Sequence, residues 1–118
     1  MRLATLAWTG LALASHASAF WGQMAASGYS GEGTPWQNIY LTDYNTGSTY
    51  QGILWGGFNG CSGGTECDVN FSETSAGGYN FQAKVWRSND GCHNIDFEGA
   101  FSAHHGYCCG SLPCDFSA

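Results

Sequence analysis

The stretch YNFQAKVW, residues 79–86, decides the fold class because its apolar and polar residues alternate. Successive side chains of an extended strand point to opposite faces, so Phe81, Ala83 and Val85 share one face. The polar residues between them share the other face, and Trp86 ends the strand on that side. This pattern predicts a β-strand with one buried face and one exposed face.

Short aromatic segments separated by glycine, serine, threonine and asparagine make up most of the remaining chain, which contains 18 glycines. The turn residues NTGS at 45–48 separate two such segments, and Gly47 can adopt the positive φ of a tight reversal, so we expect a hairpin there. Further strands are predicted at 36–42, 49–58, 69–71 and 93–101. We therefore predict an all-β fold, a small disulfide-stabilised antiparallel β-sandwich.

The first residues have the pattern of a secretory signal peptide. Arg2 gives a positive start, residues 3–14 form an apolar run, and ASA at 17–19 is a cleavage site. The apolar run is shorter than the stretch of about 20 residues that a membrane-spanning helix needs. We therefore expect residues 1–19 to be removed on secretion, with no membrane span.

Residues 20–118 are enough for one domain with one modest core. Residues 20–35 carry few apolar side chains, and we expect them to form either an edge segment or a partly ordered N-terminal arm. We expect this domain to be extracellular and monomeric.

The cysteines predict disulfide bonds, because their number is even and the expected destination is oxidising. Cys108 and Cys109 are neighbours and would close a strained ring if they paired with each other, but the other pairings stay open. Three bridges would stabilise a glycine-rich domain by restricting its unfolded chain. The six cysteines are Cys61, Cys67, Cys92, Cys108, Cys109 and Cys114.

The charge of the chain argues against one class of partner. Nine acidic residues stand against three lysines and arginines, which gives a formal net charge of −6 at pH 7. Arg2 lies in the predicted signal peptide, so Lys84 and Arg87 are the strong bases of the domain. A protein that neutralises phosphates needs a basic face, and we therefore expect no nucleic-acid partner.

Two stretches resemble one structural family. Residues 39–52, IYLTDYNTGSTYQG, resemble the aromatic folded hairpin and Tyr/Phe-x-Gly of a βγ-crystallin-like Greek key. Residues 84–94, KVWRSNDGCHN, are similar to the Val-Trp…Gly-Cys-x-Asn stretch of cysteine-rich plant antimicrobial proteins and microbial killer toxins on that fold. This resemblance implies Greek-key connections. Asn89 and Asp90 lack the Ser/Thr-Ser pair that follows in calcium-binding members, so calcium is not implied.

The size, leader and cysteine density resemble the small secreted cysteine-rich proteins of fungi, which include effectors acting on a host and toxins acting on competitors. That resemblance carries little mechanism, but the lack of a catalytic motif and the aromatic residues lead us to expect a non-catalytic protein that binds an extracellular protein or a glycan. The aromatic residues exceed what a small core usually needs, and exposed tryptophan and tyrosine suit stacking on sugars or protein hot spots. The predicted binding residues are Tyr44, Tyr50, Trp55 and Trp86. A carbohydrate-binding module is one alternative within this reading.

A small acidic secreted ribonuclease is the other alternative. A histidine and a glutamate could exchange protons with the ribose while an arginine stabilises the transition state, and Arg87, Glu98 and His104 supply these types. Size and acidity resemble the small fungal guanyl-specific ribonucleases, but EGAF at 98–101 only approximates their Glu-Gly-Phe. No hydrolase or nucleotide-binding motif occurs in the sequence, and we expect no enzyme activity.

The stretch HHGYCC at 104–109 contains residue types that bind zinc or copper. Cysteines held in disulfides cannot act as thiolate ligands, and the neighbouring His104 and His105 would point to opposite faces of a strand. We therefore expect no metal ion and no cofactor.

Overall fold

The computed structural model describes residues 19–75 and 78–118 of the chain. The predicted signal peptide, except for Ala19, lies outside these residues. Within these residues there are eight strands, one helical turn, α1 (Gly57–Gly60), and a short 3-10 turn at Ala100–Ser102. The strands are β1 (Trp21–Ala26), β2 (Trp36–Asp43), β3 (Thr49–Trp55), β4 (Cys67–Glu73), β5 (Asn80–Arg87), β6 (Cys92–Asp96), β7 (His105–Cys109) and β8 (Cys114–Ser117).

The strands form one antiparallel sheet in the order β7-β6-β5-β4-β3-β2-β1-β8. Each strand from β1 to β7 lies beside its neighbour in sequence, and β8 returns to pair with β1. The sheet curls until β7 approaches β8. Their closeness is seen at Gly106 of β7, where an added Cβ would lie 2.7 Å from the carbonyl oxygen of Ser117 in β8. The fold is therefore a nearly closed barrel of the up-and-down kind.

The predicted all-β, antiparallel, disulfide-stabilised class is confirmed. The finer arrangement differs from a two-sheet sandwich with Greek-key connections, because the described strands form a single meandering sheet. A Greek key needs a long connection that carries one strand past its neighbours. Here each strand from β1 to β7 pairs with the next one along the chain, and only β8 pairs out of sequence order, with β1.

The interior of the barrel is filled by aromatic and aliphatic side chains. Phe20, Phe71 and Phe97 are the largest fully buried residues. The ring of Phe20 lies 4.8 Å from that of Phe97 and 5.3 Å from that of Phe116, measured between centroids. An eight-stranded barrel has an interior just wide enough for side chains, and here the buried cluster fills it.

The alternation that predicted β5 is confirmed. Ala83 and Val85 are fully buried, Gln82 is exposed, and Trp86 lies on the outer face with Lys84. The predicted hairpin is also present, since β2 pairs with β3 and Gly47 adopts a φ of 80°.

Two predicted strands extend too far at their C-terminal ends. The segment 49–58 leaves the sheet after Trp55, where Gly56 and Gly57 adopt positive φ and begin α1. The segment 93–101 leaves it after Asp96, because Glu98 and Gly99 adopt left-handed conformations that a strand cannot contain.

The stretch 20–35 was predicted to be either an edge segment or a partly ordered arm. In the structure it contains β1. This strand lies inside the sheet, between β2 and β8. Phe20, immediately before it, is fully buried and exchanges backbone hydrogen bonds with Ala118. The start and the end of the described chain are therefore held together.

Three disulfides are present and none of the cysteines is free, as predicted. One bridge ties the loop after α1 to β4, one joins directly paired residues of β6 and β7, and one joins β7 to β8. These bridges are Cys61–Cys67, Cys92–Cys109 and Cys108–Cys114. A small domain with three disulfides is consistent with an extracellular protein. Among the described residues, no helix has the length and apolar character needed to cross a membrane.

Candidate functional site

The outer face of the barrel opens into a groove between β3 and β4. Within the described residues, β3 pairs with β4 at Tyr50–Glu73 and Gln51–Ser72, whereas β2 accompanies β3 along its whole length. Beyond Gln51 the ladder pairing of the two strands ends, and a groove of about 570 Å³ lies between their outer-face side chains. Its walls are formed mainly by Gln51, Ile53 and Trp55 of β3 and by Asp68, Asn70 and Ser72 of β4.

The connection between β3 and β4 bears on where this pairing ends. A tight hairpin turn would hold the two strands at normal ladder spacing, but here the chain passes through α1 and the bridge Cys61–Cys67. The backbone hydrogen bond from the N–H of Arg87 to the carbonyl of Cys61 attaches this connection to β5, and Sγ of Cys61 lies 3.5 Å from the carbonyl oxygen of Trp55 at the end of β3. The connection therefore packs against both strands and does not form a tight turn between β3 and β4.

Gly52 forms the floor of the groove at the point where the strands still approach each other. A Cβ at this position would lie 2.5 Å from Cγ1 of Val69 and 2.7 Å from the carbonyl oxygen of Asn70. Only glycine allows β4 to pass so close to β3 there.

The β3 wall is apolar. Trp55 is 59% exposed and Ile53 is 37% exposed, although both are large hydrophobic residues. Trp36, paired with Trp55 across β2 and β3, places its ring 6.2 Å from that of Trp55 at an angle of 57°. Trp36 contacts the Trp55 indole from β2, and the 59% exposure of Trp55 leaves much of the indole surface available to a ligand.

Side-chain amides flank the groove on both sides. Nε2 of Gln51 donates to Oδ1 of Asn38 at 3.1 Å, and Nε2 of Gln82 donates to Oδ1 of Asn70 at 3.2 Å. An amide has one acceptor and two donor hydrogens, so each of these bonds leaves hydrogen-bonding capacity free. The groove therefore offers both donors and acceptors beside an aromatic ring.

The carboxylates of the groove are already engaged. Asp68 accepts a hydrogen bond from Nζ of Lys84 at 2.8 Å, which raises the pKa of Lys84. Glu73 accepts from the backbone N–H of Tyr79 and from the hydroxyl of Ser75, and these bonds lower the pKa of Glu73. Asp68 is therefore paired with a cation, whereas Glu73 is a carboxylate held ionised at neutral pH by neutral donors.

The structure separates the four predicted binding residues. Tyr50 is 4% exposed and packs edge-on against Phe81 and Phe101, so this prediction is corrected: Tyr50 belongs to the core. Tyr44 is exposed beside Trp21 and donates to Oδ1 of Asp115 at 2.8 Å. That contact places Tyr44 over β1 and β8.

Trp86 belongs to a second outer surface, separated from β3 by β4. Its ring lies 5.5 Å from that of His105 and nearly parallel to it, and Tyr107 continues the row. Asn94 donates to Ser88 and to the Cys92 carbonyl, which turns its oxygen towards Nε2 of His105 at 2.8 Å. Of the predicted residues, Trp55 alone lines the groove.

The three residues of the ribonuclease alternative do not form a cluster. Arg87 pairs with His93 at one end of the β5–β6 ladder, and its guanidinium donates to Asn59. Glu98 and His104 lie beyond the other end of that ladder, past Lys84. The strand from Arg87 to Lys84 alone spans about 10 Å.

The groove was not predicted from the sequence, because its shape depends on how β3 and β4 lie relative to each other, and no local sequence pattern indicates that. The amide residues of the outer faces could have been found by extending the alternation of β3 and β4. Among the described residues, no group of three or more histidine, cysteine or acidic residues is arranged to hold a metal ion.

Comparison with protein-family models, with curated proteins and with solved structures finds no match to this chain. The function must therefore be inferred from the site.

Proposed function

We propose that this protein is a secreted, non-catalytic binding module that acts outside the cell, as an effector or toxin-like protein does, on a host or a competitor. The observation that carries this proposal is Trp55, which at 59% has the highest exposed fraction among the large exposed hydrophobic residues of the described chain and lines an open groove. A large exposed ring beside an open groove favours recognition, because burying it against a partner removes apolar surface from water.

Two further observations support a binding role. The disulfides and the filled interior make the scaffold rigid, which lowers the entropy lost when a partner binds. The separation of Arg87 from Glu98 and His104 removes the support that residue types alone gave to ribonuclease activity.

The test is a binding and growth assay on a panel of host and competitor cells with labelled, oxidised protein. We expect Trp55→Ala to lose surface binding and any growth effect, while Glu98→Gln and His104→Ala keep both. Purified protein should leave RNA intact at mildly acidic pH. RNA cleavage that disappears in Glu98→Gln would overturn the proposal in favour of the nuclease.

A further inference from the structure

We infer that the groove between β3 and β4 binds a neutral glycan, with the indole of Trp55 stacked on a sugar ring. This inference deepens the proposed function and rests on it. The chemistry of the two groove walls leads to this class of ligand.

A sugar ring presents an apolar C–H face and a rim of hydroxyl groups that both donate and accept hydrogen bonds. The β3 wall supplies the matching flat apolar surface, because Trp55 is largely exposed and Trp36 contacts it from β2. Gln51 and Asn70 supply the matching polar groups, each an amide with free capacity after its single side-chain bond.

The dimensions also suit a chain of sugars rather than a single small molecule. From Gln51 to Trp55 the β3 wall extends about 14 Å along the strand. The groove is open along the outer face, so a polymer could enter without its ends being enclosed.

The charges of the site select against anionic ligands. Asp68 is paired with Lys84, and Glu73 remains a negatively charged carboxylate that accepts hydrogen bonds from two neutral donors. None of the described residues that line the groove has a basic side chain that could bind a phosphate, sulfate or uronate. The excess of carboxylates over the whole chain repels such polymers further.

The experiment is a glycan array carrying neutral and anionic glycans, followed by calorimetric titration with neutral hexasaccharides of β-linked glucose and N-acetylglucosamine. Hexagalacturonate is the anionic probe. We expect binding to neutral glycans only. Trp55→Ala should weaken it at least tenfold, or about 1.4 kcal/mol, and Asn70→Ala should weaken it about three- to tenfold.

Tyr107→Ala is the matched control, because Tyr107 is 57% exposed but lies on β7 outside the groove. It should bind glycans as the unmodified protein does, and all three variants should keep the unmodified melting temperature within a few degrees. Absence of neutral-glycan binding, equal binding of hexagalacturonate, or an unchanged affinity in Trp55→Ala overturns the inference.

These results separate the inference from the proposed function. If no glycan binds but Trp55→Ala still abolishes binding to the target cell surface, the ligand is a protein and the proposed function stands. If no glycan binds and Trp55→Ala leaves surface binding intact, both are wrong.

Discussion

At Gly52 the absence of a side chain sets how closely two strands can approach. Replacing Gly52 with alanine would push its Cβ against Val69 and against the backbone of Asn70, and backbone cannot move aside as a flexible side chain can. We expect Gly52→Ala to lower the free energy of unfolding by about 1–3 kcal/mol, measured by urea denaturation. Gly60→Ala is the control, because a Cβ there meets no atom within 4 Å. Equal stability of the two variants would contradict this packing account.

The folding stability is expected to depend on pH through His93. Its ring packs against Phe58, and desolvation by this burial, followed by the nearby charge of Arg87, lowers the pKa of His93 below its ordinary value of 6.5. The folded state therefore binds this proton less readily than the unfolded state, so stability falls as the pH drops through 6.5.

Melting temperatures measured between pH 7 and pH 5 test this. The unmodified protein should melt at progressively lower temperature across that range, and His93→Leu should show a weaker decline. His104→Gln changes an exposed histidine and should keep the original decline. A His93→Leu profile that is parallel to that of the unmodified protein would show that His93 is not the responsible group.

The alternation of side chains between the two faces of a strand explains which predicted binding residues are exposed. Positions 50 and 55 differ by an odd number, so Tyr50 and Trp55 must lie on opposite faces of β3. The sequence therefore contained the information that one of them is buried, although they were predicted together as binding residues. Trp55 on the outer face agrees with the alternation, and Tyr50 fills the core beside Phe81.

At the scale of elements, local pattern identified the strands from β2 to β6, although with different ends, but not β1, β7 or β8. Gly22 interrupts β1 and makes the segment read as a poor strand former. In the structure it is required, because a Cβ there would overlap the carbonyl oxygen of Thr42 on β2. The pairing of β1 with β8 joins opposite ends of the chain, and no periodicity within either strand reports such a contact.

The bridge Cys108–Cys114 holds β7 and β8, the two edge strands of the sheet, next to each other, and we call this junction the seam. The ladders of the described sheet run from β8 through β1 around to β7, so this bridge covalently joins its two ends. Removing it with a paired Cys108→Ala and Cys114→Ala change should raise amide hydrogen exchange in β7 and β8 first.

The matched control is a paired Cys92→Ala and Cys109→Ala change. That bridge closes a longer loop, 17 residues apart against 6, so its loss should cost more global stability, about 3 kcal/mol against about 2 kcal/mol. The Cys108/Cys114 variant should therefore show the faster amide hydrogen exchange in β7 and β8, whereas the Cys92/Cys109 variant should show the lower urea midpoint. Identical exchange in β7 and β8 for both would mean that packing alone closes the barrel.

For the whole molecule, the bridges and the aromatic core act on different states of the chain. The aromatic core stabilises the folded barrel, and the bridges restrict the unfolded chain. Each bridge contributes about 2–4 kcal/mol to the free energy of unfolding, which for a domain of this size is about 5–15 kcal/mol in total.

Reduction should therefore remove most of the stability, and the reduced protein should lose its near-ultraviolet circular dichroism at 37 °C and be cut rapidly by protease. Reoxidation should restore both properties together with binding through Trp55. A reduced protein that keeps its tertiary signal and its protease resistance would show that the core alone maintains the barrel.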